Sequence, residues 1–201
     1  MINAIAALAV AYLPGAIPFG YLLVRWKTGR DVRAAGSGNI GATNVLRTTG
    51  RAAGVATLLL DIAKGYLAVW IAGRLTADNV WWTSAAALAV MAGHAFPVFL
   101  GFKGGKAVAS FVGAFLRLTP IPLAAVLAVF LITVAVTRHI SVGSIVGAAT
   151  FPLAVWLILH PAWPVVIAAL IAGIFVVYRH KENIRRLHAG TENVFTFGSR
   201  D

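Results

Sequence analysis

The chain is a succession of apolar runs, each close to the length of a bilayer's hydrocarbon core, separated by short polar breaks. A transmembrane helix needs about 20 consecutive apolar residues, with roughly 17–25 usual. The run over residues 2–24 meets this despite Pro14 and Pro18, and further runs cover about 52–73, 80–100, 107–119, 120–137, 141–159 and 164–178. Of 201 residues, 60% are apolar and only 11% charged. Soluble chains carry about 25% charged residues, so a globule of this size could not hide so much apolar side chain from water. A cytosolic enzyme and a disordered chain are both excluded. The first run lacks the basic leader of a signal peptide, its positive charges following it instead, so it is expected to stay in the mature protein. The expected fold is all-α, a polytopic membrane helical bundle formed as a single domain over residues 1–201.

Charge orients the bundle. Seventeen Lys and Arg stand against six Asp and Glu, and basic residues gather on cytoplasmic loops. With seven transmembrane helices and the N-terminus outside, the first inner loop holds Arg25, Lys27, Arg30, Arg33, Arg47 and Arg51. The second holds Lys103 and Lys106, the third Arg138, and the C-terminal tail Arg179, Lys181, Arg185, Arg186 and Arg200. Only Arg74 and Arg117 then face out, with Lys64 inside the second span. The fourth run is short enough to be a re-entrant hairpin, but that choice would move Arg138 and the basic tail outside. Seven spans with a cytoplasmic C-terminus is therefore the expectation.

Three polar segments share that inner face. The first is Gly36-Ser37-Gly38-Asn39-Ile40-Gly41-Ala42-Thr43-Asn44, closing on Arg47. Glycines let backbone amides approach an anion, successive N–H groups form an anion-binding nest, and an arginine fork suits phosphate. Gly36, Gly38 and Gly41 satisfy a dinucleotide fingerprint formally, but no β-strand precedes them, so that reading is rejected. The second segment runs from His94 to Ser110 and places Lys103 and Lys106 around Gly104 and Gly105 at a helix start, where free N–H groups attract anions. It is not a P-loop: Leu100 and Ala107 stand where that motif needs a glycine and a hydroxyl. The third, from Arg179 to Asn193, spaces His180 and Asn183 by three residues and Ile184 and His188 by four, with arginines beside them.

Each segment alone has an ordinary explanation: a connecting loop, interfacial lysines reaching lipid headgroups, a basic topology signal. His94 taken alone reads as a packing residue, and Asp61 with Lys64 as a local ion pair within a helix. Arg138, Ser141 and Ser144 fall on the same face as the three segments. Glycine-rich and cationic elements converging there are best explained by a shared phosphate-bearing ligand. The absence of cysteine excludes disulfides, thiolate metal sites and thiol nucleophiles. Five scattered histidines and few carboxylates make no metal cage, and no cofactor or nucleic acid is implied.

In order and in sequence, the three segments resemble the three motif regions of the bacterial acyl-phosphate:glycerol-3-phosphate acyltransferase family (PlsY), a resemblance covering essentially the whole chain. It implies a multi-pass enzyme of the bacterial inner membrane, its active site facing the cytoplasm among membrane lipid. The reaction it implies transfers a fatty acyl group from acyl phosphate to glycerol 3-phosphate, giving lysophosphatidic acid and inorganic phosphate in phospholipid synthesis. Acyl phosphate is a mixed anhydride with a good leaving group, so orientation and charge neutralisation suffice without an acyl-enzyme. The His-x-x-x-x-Asp dyad of the other glycerolipid acyltransferases is absent: Phe99, Ser144, Val165, Arg185 and Asn193 occupy the acid's position.

On this reading Ser37, Asn39, Gly41, Thr43 and Asn44 hold the acyl phosphate, within the Gly36–Gly38 turn. Arg47, Lys106, His180 and Asn183 hold glycerol 3-phosphate or balance charge, with Lys103, Gly104 and Gly105 around Lys106. Ser144 and His188 support them, and Glu192 orders the tail by capping or by pairing with an arginine. The proton acceptor is a substrate phosphate oxygen or His180. A monomer is compatible with all of this. The competing readings are a transporter or exchanger of organic phosphates and a lipid-binding scaffold without chemistry.

Overall fold

A computed structural model describes residues 2–195, which split after Leu118 into two compact units. Arg200, counted above among the basic residues of the tail, lies outside them. All regular structure among the described residues is helical.

The first unit contains α1 (Ile2–Ala16), α2 (Phe19–Thr28), α3 (Ala42–Thr49), α4 (Arg51–Leu75), α5 (Val80–Ala95) and α6 (Val108–Leu118). Helices α1 and α2 are one apolar run broken at Ile17 and Pro18, since a proline has no N–H to continue the helical ladder. Asn79 caps α5, its side-chain oxygen accepting from the Trp81 and Trp82 amides. The core is a seam of small residues: Ala7 and Ala11 of α1, Ala68 and Ala72 of α4, Ala86 and Ala87 of α5, and Ala114 of α6 are all fully buried. Without a hydrophobic drive between helices in lipid, close backbone approach through small side chains is what holds such a bundle. Helices α4 and α6 come so near that a Cβ on Gly113 would strike the Ile62 carbonyl and one on Gly65 the Ser110 carbonyl.

The second unit contains α7 (Pro120–Thr137), α8 (Ile140–Leu159), α9 (Trp163–Arg179) and α10 (Lys181–His188). Helix α8 packs against both α7 and α9. Phe151 and Val155 of α8 and Ala169 and Ala172 of α9 are fully buried, while Leu131, Ile132, Val136, Leu170 and Ile174 lie exposed and fit lipid.

Among the described residues, five helical stretches are long and apolar enough to cross a membrane: Ile5–Thr28, Arg51–Leu75, Val80–Leu100, Pro120–Thr137 and Ile140–Leu159. Helices α9 and α10 form a sixth if counted together, bent by 50°. The fourth apolar run is the short one, as its sequence length indicates. It is realised as α6, with 11 residues, about 16 Å at 1.5 Å per residue and well short of a hydrocarbon core.

Substituting Gly113→Val drives a branched side chain into the Ile62 carbonyl, and overpacking of this kind costs about 1–3 kcal/mol. The expected outcome is a fall of several degrees in the melting temperature of detergent-solubilised protein, measured by intrinsic fluorescence. An unchanged transition would refute the close α4–α6 contact.

Candidate functional site

The first polar segment is a loop folded around one side chain. Asn44, 2% exposed, directs its carboxamide into the loop that precedes it. Its Nδ2 donates to the carbonyls of Asn39 at 2.8 Å, Ala35 at 3.1 Å and Val32 at 3.3 Å. Its Oδ1 accepts the Ser37 amide at 2.9 Å. Gly36 and Gly38 take left-handed φ angles of 60° and 69°, which L side chains adopt only at a cost. Beneath the loop, Val32, Ile40 and Val45 pack with Val24 and Ala53 in a small apolar core of their own. Asn39 closes an Asx turn on the Gly41 amide at 2.8 Å. Ser37 is left exposed at the crest, Thr43 is half-buried, and Arg47 lies exposed on α3. Asn44, expected on the phosphate, is instead the internal clasp of the loop: both polar atoms of its carboxamide are engaged within it.

The second segment dips back into the first unit. The Gly104 amide donates to the Ala95 carbonyl and the Gly105 amide to the His94 carbonyl, both at 3.1 Å. The chain thus runs back alongside the end of α5 before Ala107, with φ of 61°, turns it into α6. Gly105 is buried, Lys106 half-buried and Lys103 exposed. Only Lys106 is carried inward with the glycines.

In the second unit the third segment is organised by a carboxylate. Glu192 Oε1 accepts from Asn183 Nδ2 at 2.7 Å and from Ser141 Oγ at 2.9 Å, and Oε2 accepts from Arg186 Nε at 2.7 Å. A further bond, from the Phe195 amide to the Arg138 carbonyl at 2.7 Å, lays the tail along the start of α8. Burial pulls the Glu192 carboxyl upward, but hydrogen bonds from Asn183, Arg186 and Ser141, with the guanidinium charge, outweigh it and hold it below the ordinary value of 4.5.

His180 sits at the α9–α10 bend, 2% exposed, its Nδ1 2.7 Å from the Val176 carbonyl. A carbonyl only accepts, so Nδ1 carries the proton and Nε2 is the basic nitrogen of the neutral ring. The chain bends by 50° between α9 and α10, and His180 and Asn183 are both buried while Lys181, Glu182 and Arg185 are exposed. Ser144 is buried with its hydroxyl donating to the Ile140 carbonyl at 2.9 Å, and His188 lies exposed at the end of α10. Ser141 and Arg186 are the residues whose part in this cluster sequence reasoning missed. Spacing puts Arg186 one turn from Asn183, but Ser141 is distant in sequence and only the fold brings it to Glu192.

No group of three or more His, Cys, Asp or Glu that could hold a metal occurs among the described residues. In the first unit two irregular elements rich in amides and cations, and in the second a buried His–Asn pair braced by a carboxylate, each offer groups suited to phosphate esters.

Comparison with known proteins agrees with that chemistry. The family model for glycerol-3-phosphate acyltransferase matches residues 5–190. The chain belongs to that family. The glycerol-3-phosphate acyltransferase of Geobacter sulfurreducens is 48% identical over 97% of this chain and 99% of its own length. That of Synechococcus elongatus is 40% identical over 96% and 94%. Two crystal structures of PlsY, described as an integral membrane glycerol 3-phosphate acyltransferase, resemble the chain closely. The glycerol 3-phosphate form has a TM-score of 0.90 at 37% identity, covering 96% of each chain. The lysophosphatidic acid form has a TM-score of 0.87 at 35% identity, covering 96% of this chain and 95% of the other.

A glutamate held below its ordinary value stabilises its surroundings fully above pH 4.5, and that contribution is lost as pH falls through the lower folded value. Acidification into that range is therefore expected to speed amide hydrogen exchange in residues 183–195, and Glu192→Gln to produce the faster exchange already at neutral pH. Equal exchange in wild type and Glu192→Gln at pH 7 would remove Glu192 as the organiser.

Proposed function

We propose that this membrane acyltransferase takes its acyl group from acyl phosphate and places it on glycerol 3-phosphate, releasing lysophosphatidic acid and inorganic phosphate. Two observations, one in each unit, support the reading: phosphate-suited backbone folded around Asn44, and a buried His180–Asn183 pair braced by Glu192. The chain acts as a single acyltransferase domain over residues 1–201, which the family match across residues 5–190 supports, since it runs through both units.

The chemistry follows from the donor. The glycerol hydroxyl attacks the acyl carbonyl carbon, the new ester bond forms, and the carbon–oxygen bond to phosphate breaks with inorganic phosphate leaving. Phosphate is a good leaving group, so what the protein supplies is orientation and neutralisation of charge. In the first unit Ser37, the amides around Gly36, Gly38 and Gly41, and Asn39 and Thr43 hold the acyl phosphate, Asn44 keeping the loop in shape. Arg47 and Lys106, with Lys103, Gly104 and Gly105 around the latter, hold glycerol 3-phosphate and balance its charge. In the second unit His180 and Asn183 bind the same substrate, Ser144 and His188 support them, and Glu192 fixes Asn183. The hydroxyl proton passes to a phosphate oxygen of the substrate. Direct transfer suits the second unit, where the Ser144 hydroxyl is turned to a backbone carbonyl and that of Ser141 to Glu192. Neither is primed by a histidine as a nucleophile would be.

Seven spans with the N-terminus outside and the C-terminus cytoplasmic place these elements on one side of a bacterial inner membrane, in a monomer. Helix α6, continued by residues 103–107 alongside α5, serves as the short fourth span. The transporter alternative needs polar groups along the bundle, and its candidates, Asp61 and Lys64, are instead paired at 2.7 Å.

Purified protein given acyl phosphate and labelled glycerol 3-phosphate is expected to form lysophosphatidic acid and phosphate in equal amounts with no trapped acyl-protein. His180→Ala and Asn183→Ala should each slow turnover at least about 100-fold, the scale on which removing a stabilising donor acts, and Ser37→Ala should weaken substrate binding. Full turnover in both alanine variants, with normal binding by Ser37→Ala, would overturn the assignment. The native chain has no cysteine, so Ser37→Cys, Lys103→Cys and Glu182→Cys can each be labelled singly in sealed vesicles. All three should react from the cytoplasmic side only; a split between faces would refute the topology.

A further inference from the structure

The first unit buries an ionisable cluster that the reaction above does not use. Asp61 of α4, 1% exposed, has its Oδ1 2.7 Å from Lys64 Nζ and 3.6 Å from Nδ1 of His94 on α5. Lys64 Nζ also donates to the Ile17 carbonyl at 2.8 Å, at the break between α1 and α2. Ionisable groups are costly within a span and persist there where they bind, relay or brace something. The Lys64 arm braces the α1–α2 break. The His94 arm leads elsewhere.

The imidazole of His94 lies directly under the backbone that carries Lys106. The Gly105 amide donates to the His94 carbonyl at 3.1 Å. A methyl group added to Gly105 would meet three atoms first, Nε2, Cδ2 and Cε1, all belonging to this ring. The left-handed φ of 60° or more occurs at Ala107 rather than at Gly104 or Gly105. What demands a missing side chain at Gly105 is therefore the ring beneath it and not the backbone angle. The imidazole thus has a carboxylate oxygen 3.6 Å from its Nδ1 on one side and the glycine against its Nε2 edge on the other.

We infer that Asp61 and His94 are positioning residues for the Lys106 segment. The Asp61 carboxylate orients the His94 ring, the ring sets the depth at which Gly105 rests, and that depth decides where the Lys106 ammonium meets the phosphate of glycerol 3-phosphate. This rests on the reading of Lys106 as a substrate-holding cation. It differs from ordinary packing in a checkable way: the effect of His94 passes through Lys106.

The test is a double-variant cycle on the full-length enzyme in detergent, with acyl phosphate and glycerol 3-phosphate varied separately. His94→Ala is expected to lower kcat/KM for glycerol 3-phosphate about tenfold or more, as misplacement of a charged group by about 1 Å does. The KM for acyl phosphate should move less than about twofold. His94→Gln, whose amide can take the place of Nε2, should recover most of the loss. In a Lys106→Ala background His94→Ala should add less than about twofold, because residues acting through one contact are not additive. Should His94→Ala not fold, Gly105→Ala, whose added methyl displaces the same contact, carries the same cycle. Lys106→Ala impaired, with a further full loss from the histidine change, would overturn this inference and leave the site reading standing. Lys106→Ala at full activity would remove the site reading and the inference together.

Discussion

Non-helical backbone beside a lipid bilayer must satisfy its own amides and carbonyls, because hydrocarbon offers them nothing. Two of the irregular polar elements meet this constraint by the same device, a single side chain that gathers the loose ends. In the loop before α3 the gatherer is the Asn44 carboxamide, with three carbonyls on its nitrogen and one amide on its oxygen. In the tail it is the Glu192 carboxylate, which takes three side-chain donors from two helices. Ser37 at the crest of the first loop and Arg47 on α3 are left exposed.

The same economy explains why so few ionised groups are found deep in the helices. Asp61 and Lys64 pair with one another, and each reaches one further element: Asp61 the His94 ring, Lys64 the Ile17 carbonyl. A pair of this kind contributes less by attraction than by fixing where its neighbours stand, since desolvation offsets most of the Coulomb gain. Around it the alanine and glycine seam of α1, α4, α5 and α6 allows backbones to close up.

Much of the fold could be read from hydropathy, since the long runs that became α4, α7 and α8 are set by bilayer thickness and little else. The fourth run, short in the sequence, is the 11-residue α6. Beyond the last run, the 50° bend between α9 and α10 has no proline to announce it. At the site, residue type and spacing picked out the three segments but not the division of labour inside them. Asn44 reads as a phosphate donor in a string of Gly, Ser and Asn, and becomes a clasp because its side chain faces the loop interior. Asn183 and His180 are buried together, as their spacing suggested, and Glu192 pairs with Arg186.

By itself, the sequence determined that this chain is helical and membrane-spanning, and which acyltransferase family it resembles. Those properties follow from local quantities: apolar length, charge count, and the residue types of short motifs. Tertiary structure alone decided which polar side chains brace and which face outward, that Ser141 joins the tail through Glu192, and that His94 lies beneath Gly105. Such facts depend on contacts between residues far apart in the chain, and no local pattern of apolar and polar residues encodes the direction in which a buried side chain points.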